Sequence, residues 1–136
     1  MVSRKGQGAF QAENYMKTYG KSEVVFRQNM PGKEMYIVYS GKIDIVLEGS
    51  EGKTTVLATL EPGQFFGEIA LVDGDFRSAS AVAIENGTRL LVLDRARLIE
   101  LFGQQPEIAL TIIQTLCRRL RDTNTALAQA KDRQKE

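Results

Sequence analysis

Apolar and polar residues alternate in short bursts along the first two thirds of the chain, and the period lengthens abruptly near residue 94. Val24-Val25-Phe26, residues 35–39, Ile43-Asp44-Ile45-Val46-Leu47, and residues 54–60, 80–84 and 88–93 are rich in β-branched and aromatic side chains. Turn pairs separate them: Tyr19-Gly20, Pro31-Gly32, Ser40-Gly41, Pro62-Gly63, Asp73-Gly74 and Asn86-Gly87. Short strands with turns about every 8–12 residues predict an all-β sandwich or barrel. Ile43, Ile45 and Leu47 alternate with Asp44 and Val46, as in a strand with one buried face. Glu48-Gly49-Ser50-Glu51-Gly52-Lys53 reads as a solvated hairpin tip. Residues 10–19, with Phe10, Tyr15, Met16 and Tyr19, are expected to form a short helix or turn against the strands.

After Leu93 the spacing becomes helical. Asp94 can cap a short helix over 94–103, with Leu98, Ile99, Leu101 and Phe102 on its apolar side and Gly103 at its end. Pro106 suits the first turn of a longer helix over 105–130. Along it Ala109, Ile113, Leu116, Leu120, Thr123, Leu127 and Ala130 recur at steps of four and three. That stripe is longer than a barrel at 20–93 can cover, so its later half is expected to meet a second copy, a ligand, or both. The expectation is one domain over residues 1–136.

Composition narrows function by what it omits. With 136 residues, 43% of them hydrophobic, the chain can bury one real core. It contains no histidine, which removes histidine metal sites, histidine haem ligation and Ser-His-Asp or Cys-His catalysis. The one cysteine, Cys117, can hold neither an iron–sulfur cluster nor an intrachain disulfide; it fits a reducing cytoplasm and a place in the helical seam. No metal, no cofactor and no enzymatic activity are expected. The net charge of +1 advertises neither nucleic acid nor membrane, and the apolar runs are of strand length.

The chemistry concentrates in Phe66-Gly67-Glu68-Ile69-Ala70-Leu71 followed by Asp73-Gly74-Asp75-Phe76-Arg77-Ser78-Ala79. Arg77 offers a planar fork that matches phosphate oxygens. A short helical turn starting near Gly67 would aim free N–H groups, those of Ile69 and Ala70 among them, at the same anion. Gly67 lets the backbone approach closely, and Glu68 can accept a hydrogen bond from a ribose 2′-OH. The plainer alternative is that Glu68 and Arg77 pair with each other on the rim.

This two-part string strongly resembles the phosphate-binding cassette of cyclic nucleotide-binding domains, and the resemblance runs from about residue 10 to residue 125. It implies a jelly-roll β-barrel with flanking helices and a long C-terminal helix. It implies that Gly67 and Glu68 meet the ribose, that Arg77 binds the cyclic phosphate, and that Ser78 and Ala79 line the phosphate and base side. Gly20, Gly32, Gly41 and Gly63 fall at the glycine-punctuated turns of that fold and are expected to be structural. Three positions depart from the usual pattern: Phe76 stands where many members have proline, Lys33 stands at an often acidic position, and Asp73 and Asp75 must point outward from the phosphate. Ser78 resembles the catabolite-activator branch of the family, which places cAMP ahead of cGMP. Cys117-Arg118-Arg119-Leu120-Arg121-Asp122-Thr123-Asn124 resembles that branch's dimer helix, implying base contacts from Thr123 in one subunit and from Asn124 in the partner.

The expected protein is therefore a cyclic nucleotide sensor whose ligand repositions the C-terminal helix, a homodimer signalling to an effector protein of unknown identity. Two rivals remain: the sensor half of a transcription regulator without its helix-turn-helix, which could not read DNA as given, and an unliganded dimerisation module.

Overall fold

Eight strands assemble into two antiparallel sheets in the computed structural model, which describes residues 11–74 and 76–134. They are β1 (Met16–Tyr19), β2 (Val24–Phe26), β3 (Met35–Ser40), β4 (Ile43–Glu48), β5 (Thr54–Leu60), β6 (Phe65–Phe66), β7 (Ser80–Ala83) and β8 (Thr88–Leu93). One sheet has the order β1-β8-β3-β6 and the other β2-β7-β4-β5. The pairings β1 with β8, β2 with β7, β3 with β6 and β4 with β5 are those of one long hairpin rolled up on itself, a jelly roll.

Every connection except β4–β5 crosses from one sheet to the other. The glycine-bearing turn pairs are those crossing points. Among the described residues no ladder joins the two sheets, so the expected barrel is instead an open two-sheet sandwich. Chain crossings at tight turns interrupt hydrogen bonding at the corners, and side-chain packing closes the core in its place.

That core forms where inward positions of both sheets meet: Tyr19, Tyr36, Val38, Leu90 and Val92 from one, Ile43, Leu60, Ala81 and Ala83 from the other, together with Phe66. Ile43 and Ile45 follow the predicted alternation, but Leu47 is 38% exposed and Val46 is buried outside the main cluster. Near the tip, β5 carries a bulge, with Ile45 opposite Ala58 and Val46 opposite Val56. The hairpin thus projects past the packed interior, and residues 54–59 are exposed. Its tip is an exposed 3₁₀ turn, Ser50–Gly52.

The N-terminal segment departs from expectation. Phe10 lies outside the described residues; Ala12–Tyr15 is a 3₁₀ turn, and Met16–Tyr19 is an edge strand rather than a helix, held by antiparallel pairing to β8. Helix α1 (Glu68–Asp73) sits between β6 and β7. Helix α2 (Arg95–Gln104) begins under the Asp94 cap, whose Oδ1 accepts the Arg97 N–H at 2.9 Å, and it runs through Gly103 instead of ending there.

The chain divides into two compact units, the second starting at Ile99. Helix α3 (Pro106–Gln134) has 29 residues, none buried. Leu110, Ile113, Cys117, Leu120 and Leu127 are all exposed on it, so Cys117 is not packed within the single chain. No helix among the described residues is long and apolar enough to cross a membrane.

Leu90 is fully buried at the centre of the core. Replacing it by alanine is expected to cost about 3 kcal/mol of unfolding free energy in urea titrations; a loss below about 1 kcal/mol would contradict the packing described.

Candidate ligand-binding site

The site is built around one buried charge. Arg77 is 5% exposed, and its backbone is pinned to the β2–β3 loop: its N–H donates to the Met30 carbonyl at 2.8 Å, and its carbonyl accepts the Asn29 N–H at 2.8 Å. A β-bridge between Pro31 and Phe76 continues this contact. Asn29 takes a left-handed φ of 70°, which asparagine tolerates better than most residues. From this anchor the side chain turns inward. Its Nη1 donates to the Glu34 carbonyl at 2.8 Å and to the Gly67 carbonyl at 3.1 Å.

The guanidinium carbon lies 4.0 Å from the Phe26 ring centroid and 5.7 Å from that of Tyr36. Its Nε is buried and has no hydrogen-bond partner among the described residues. Burial lowers the Arg77 pKa, while Tyr36 and the Glu34 carboxylate act to raise it. An arginine nonetheless keeps its charge in a protein. The result is a fixed, desolvated cation with one donor still uncommitted.

Gly67 is the hinge between β6 and the cassette. Its φ of 84° is left-handed, and a Cβ there would come within 2.9 Å of Arg77 Nη1 and 3.2 Å of the Glu34 carbonyl. Glycine alone satisfies both demands. Helix α1 follows at once, and Gly74, again left-handed, closes it through its N–H to the Ala70 carbonyl at 2.8 Å. The first-turn N–H groups, including those of Ile69 and Ala70, have no acceptor within the helix. Glu68 is half-buried at the first helical position, Ile69 is exposed and Ala70 is buried.

Ser78 is exposed and Ala79 buried as the chain enters β7. Gly67, Glu68, Ile69, Ala70, Arg77, Ser78 and Ala79 all lie in the first unit, where the Arg77–Gly67 hydrogen bond joins the two halves of the string. Thr123 and Asn124 belong to the second unit, where both are exposed on α3. Asp75 lies outside the described residues, and so does the side chain of Asp73.

Four participants escape the sequence. Glu34 contributes its backbone carbonyl, a group with no residue signature. Phe26 supplies the ring under the guanidinium and Tyr36 a second ring. Gly32, expected only as a structural turn glycine, is instead required because a Cβ would overlap Arg77 Nε, Cζ and Nη2.

Tyr36 donates to Glu34 Oε1 at 3.3 Å. Burial pushes its pKa up from the ordinary 10.0; the nearby Glu34 carboxylate adds to the rise and Arg77 opposes it. Because the folded pKa exceeds the unfolded one, the stabilisation from Tyr36 is intact below about pH 10 and is lost as pH rises beyond it. Urea titrations at about pH 9 and about pH 11 should show a larger alkaline loss for the wild type than for Tyr36→Phe. Equal losses would mean that Tyr36 is not held in its neutral form by the fold.

The cyclic nucleotide-binding domain family model matches residues 16–105. Over 111 residues the chain is 38% identical to the cyclic AMP receptor protein of Thermus thermophilus, a match covering 82% of this chain and 51% of that protein. It is 34% identical over 110 residues to a CRP-like cAMP-activated global transcriptional regulator of Mycobacterium tuberculosis, covering 81% and 49%. The chain thus spans about half the length of these curated relatives. Among solved structures, the Thermus thermophilus catabolite activator protein superposes with a TM-score of 0.78 at 33% identity, covering 96% of this chain and 60% of that one.

Proposed function

The chain belongs to the cyclic nucleotide-binding domain family, and from that premise we propose that it is a cAMP sensor in which Arg77 binds the cyclic phosphate. The observation that carries this reading is the buried guanidinium with its uncommitted Nε. Burying a cation is costly unless a counter-charge arrives. A singly charged phosphodiester supplies that charge, and the N–H groups of Ile69 and Ala70 add donors on the same anion.

Gly67 admits the sugar-phosphate closely, Glu68 accepts from the ribose 2′-OH, and Ser78 and Ala79 line the phosphate and base side. Serine at position 78 and relatives named for cAMP support cAMP over cGMP as the ligand. The domain is regulatory, with no reaction of its own, and the reduced state of a lone cysteine suits the cytoplasm.

The output runs through α3. Its exposed Ile113, Leu120 and Leu127 repeat every heptad, the spacing of a two-helix seam, so a homodimer through this helix is the expected assembly. Thr123 and Asn124 would then reach the base from the two subunits. Ligand shifts the helix between two positions by binding one of them better. The match to about half of a CRP-like cAMP-activated global transcriptional regulator also favours a second reading, in which this is the sensor portion of such a protein. A pure dimerisation module has no use for a buried arginine with a vacant donor.

Calorimetry on protein stripped of nucleotide tests the assignment. Arg77→Ala should weaken cAMP binding by about 2–5 kcal/mol, since the phosphate would be desolvated without its partner; unchanged affinity would refute the assignment. Glu68→Gln should cost about 1–2 kcal/mol and narrow the discrimination against 2′-deoxy-cAMP. Discrimination that persists would remove Glu68 from the ribose.

A further inference from the structure

We propose that Phe26 is a positioning residue for Arg77: its ring and Gly32 form two walls of a slot that holds the guanidinium plane ready for a phosphate. The proposal deepens the reading of Arg77 given above and rests on it.

The hydrogen bonds of Arg77 to Glu34 and Gly67 leave a geometric gap that the slot fills. Both acceptors of Arg77, the Glu34 and Gly67 carbonyls, bind the same nitrogen, Nη1. Two bonds at one corner set the plane only within the angular tolerance of hydrogen bonds, and the Nε side of the fork swings most within that tolerance. A swinging plane would aim Nε and Nη2 in varying directions, and a planar fork recognises phosphate only when its edge is aimed. The Phe26 ring, 4.0 Å from Cζ, removes that freedom by attracting the cation to its face. Gly32 confines it further, since its Cβ position would overlap Nε, Cζ and Nη2 alike. Nearness to all three atoms places that position over the guanidinium rather than beyond a single edge.

Phe26 is itself held firmly. Its centroid lies 5.6 Å from that of Tyr36 and 5.8 Å from that of Phe66, and those two rings stack at 5.1 Å with only 13° between their planes. Tyr36 and Phe66 face each other across the β3–β6 pairing. The residue after Phe66 is Gly67, whose carbonyl accepts from Nη1. One strand end therefore sets both the ring stack behind Phe26 and an acceptor for Arg77. Phe26 need not touch the ligand; it acts through the arginine.

The test uses the full chain labelled with 15N-arginine and compares Phe26→Leu, Phe26→Tyr and Gly32→Ala. In ligand-free wild type the Arg77 Nε–H proton should resonate upfield of free arginine, from the ring current, and exchange slowly with water. Phe26→Leu, which keeps apolar bulk but loses the ring, should return it towards the free position and raise the cAMP dissociation constant about tenfold or more. Phe26→Tyr should keep both values near those of wild type. Gly32→Ala, outside the core cluster, should displace the signal and weaken binding as Phe26→Leu does; it carries the test alone if Phe26→Leu does not fold.

An unmoved signal with unchanged affinity in Phe26→Leu or Gly32→Ala would overturn the proposal. So would equal loss in Phe26→Leu and Phe26→Tyr, which would mark Phe26 as packing only. Failure of wild type to bind any cyclic nucleotide would instead defeat the parent reading, and the ligand-free resonance would still decide whether the slot exists.

Discussion

A buried guanidinium that the fold only half satisfies is the constraint around which the first unit is arranged. Arg77 is withdrawn from water, and the protein supplies it with two backbone carbonyls and aromatic faces. The carbonyls and rings hold the charge in place without cancelling it, and the Glu34 carboxylate acts on it only as a nearby charge. That is the arrangement expected of a receptor for an anion. A full ion pair at Arg77 would compete with the ligand, whereas carbonyl oxygens leave the cation electrostatically available.

The jelly roll explains how residues distant in sequence converge on this group. Because nearly every connection crosses between sheets, the β2–β3 loop, the end of β6 and the entry to β7 come together. Arg77 takes its backbone anchor from the first, a carbonyl from the second, and its inward direction from the third. The sandwich supplies rigidity through a ring stack continuous with its core, and α1 begins directly after Gly67, whose carbonyl accepts from Arg77. Function is thereby localised at loops positioned by a packed scaffold.

Much of this was legible in the sequence because glycine turns and β-branched bursts are local signals. Strands β2 to β5, β7 and β8 follow them closely. Strand β1 was missed because Met16-Lys17-Thr18-Tyr19 shows no apolar alternation, and its stability comes from pairing with β8. Strand β6 has two residues, too few for any period. The cassette string exposed Gly67, Glu68 and Arg77 as chemistry, but backbone acceptors such as the Glu34 carbonyl leave no residue signature. Gly32 looked like a turn glycine; its actual demand comes from Arg77 across the fold, a nonlocal contact that no turn pattern encodes. Openness of the sheets was equally hidden, since period-2 alternation is the same in sandwich and barrel.

The most direct measurement is a crystal structure of the nucleotide-stripped protein soaked in excess cAMP. The account predicts a phosphate oxygen within hydrogen-bond distance of the Arg77 guanidinium, with the ribose against Gly67 and Glu68. A guanidinium still bound only to the Glu34 and Gly67 carbonyls, with water alone beside it, would contradict the central claim.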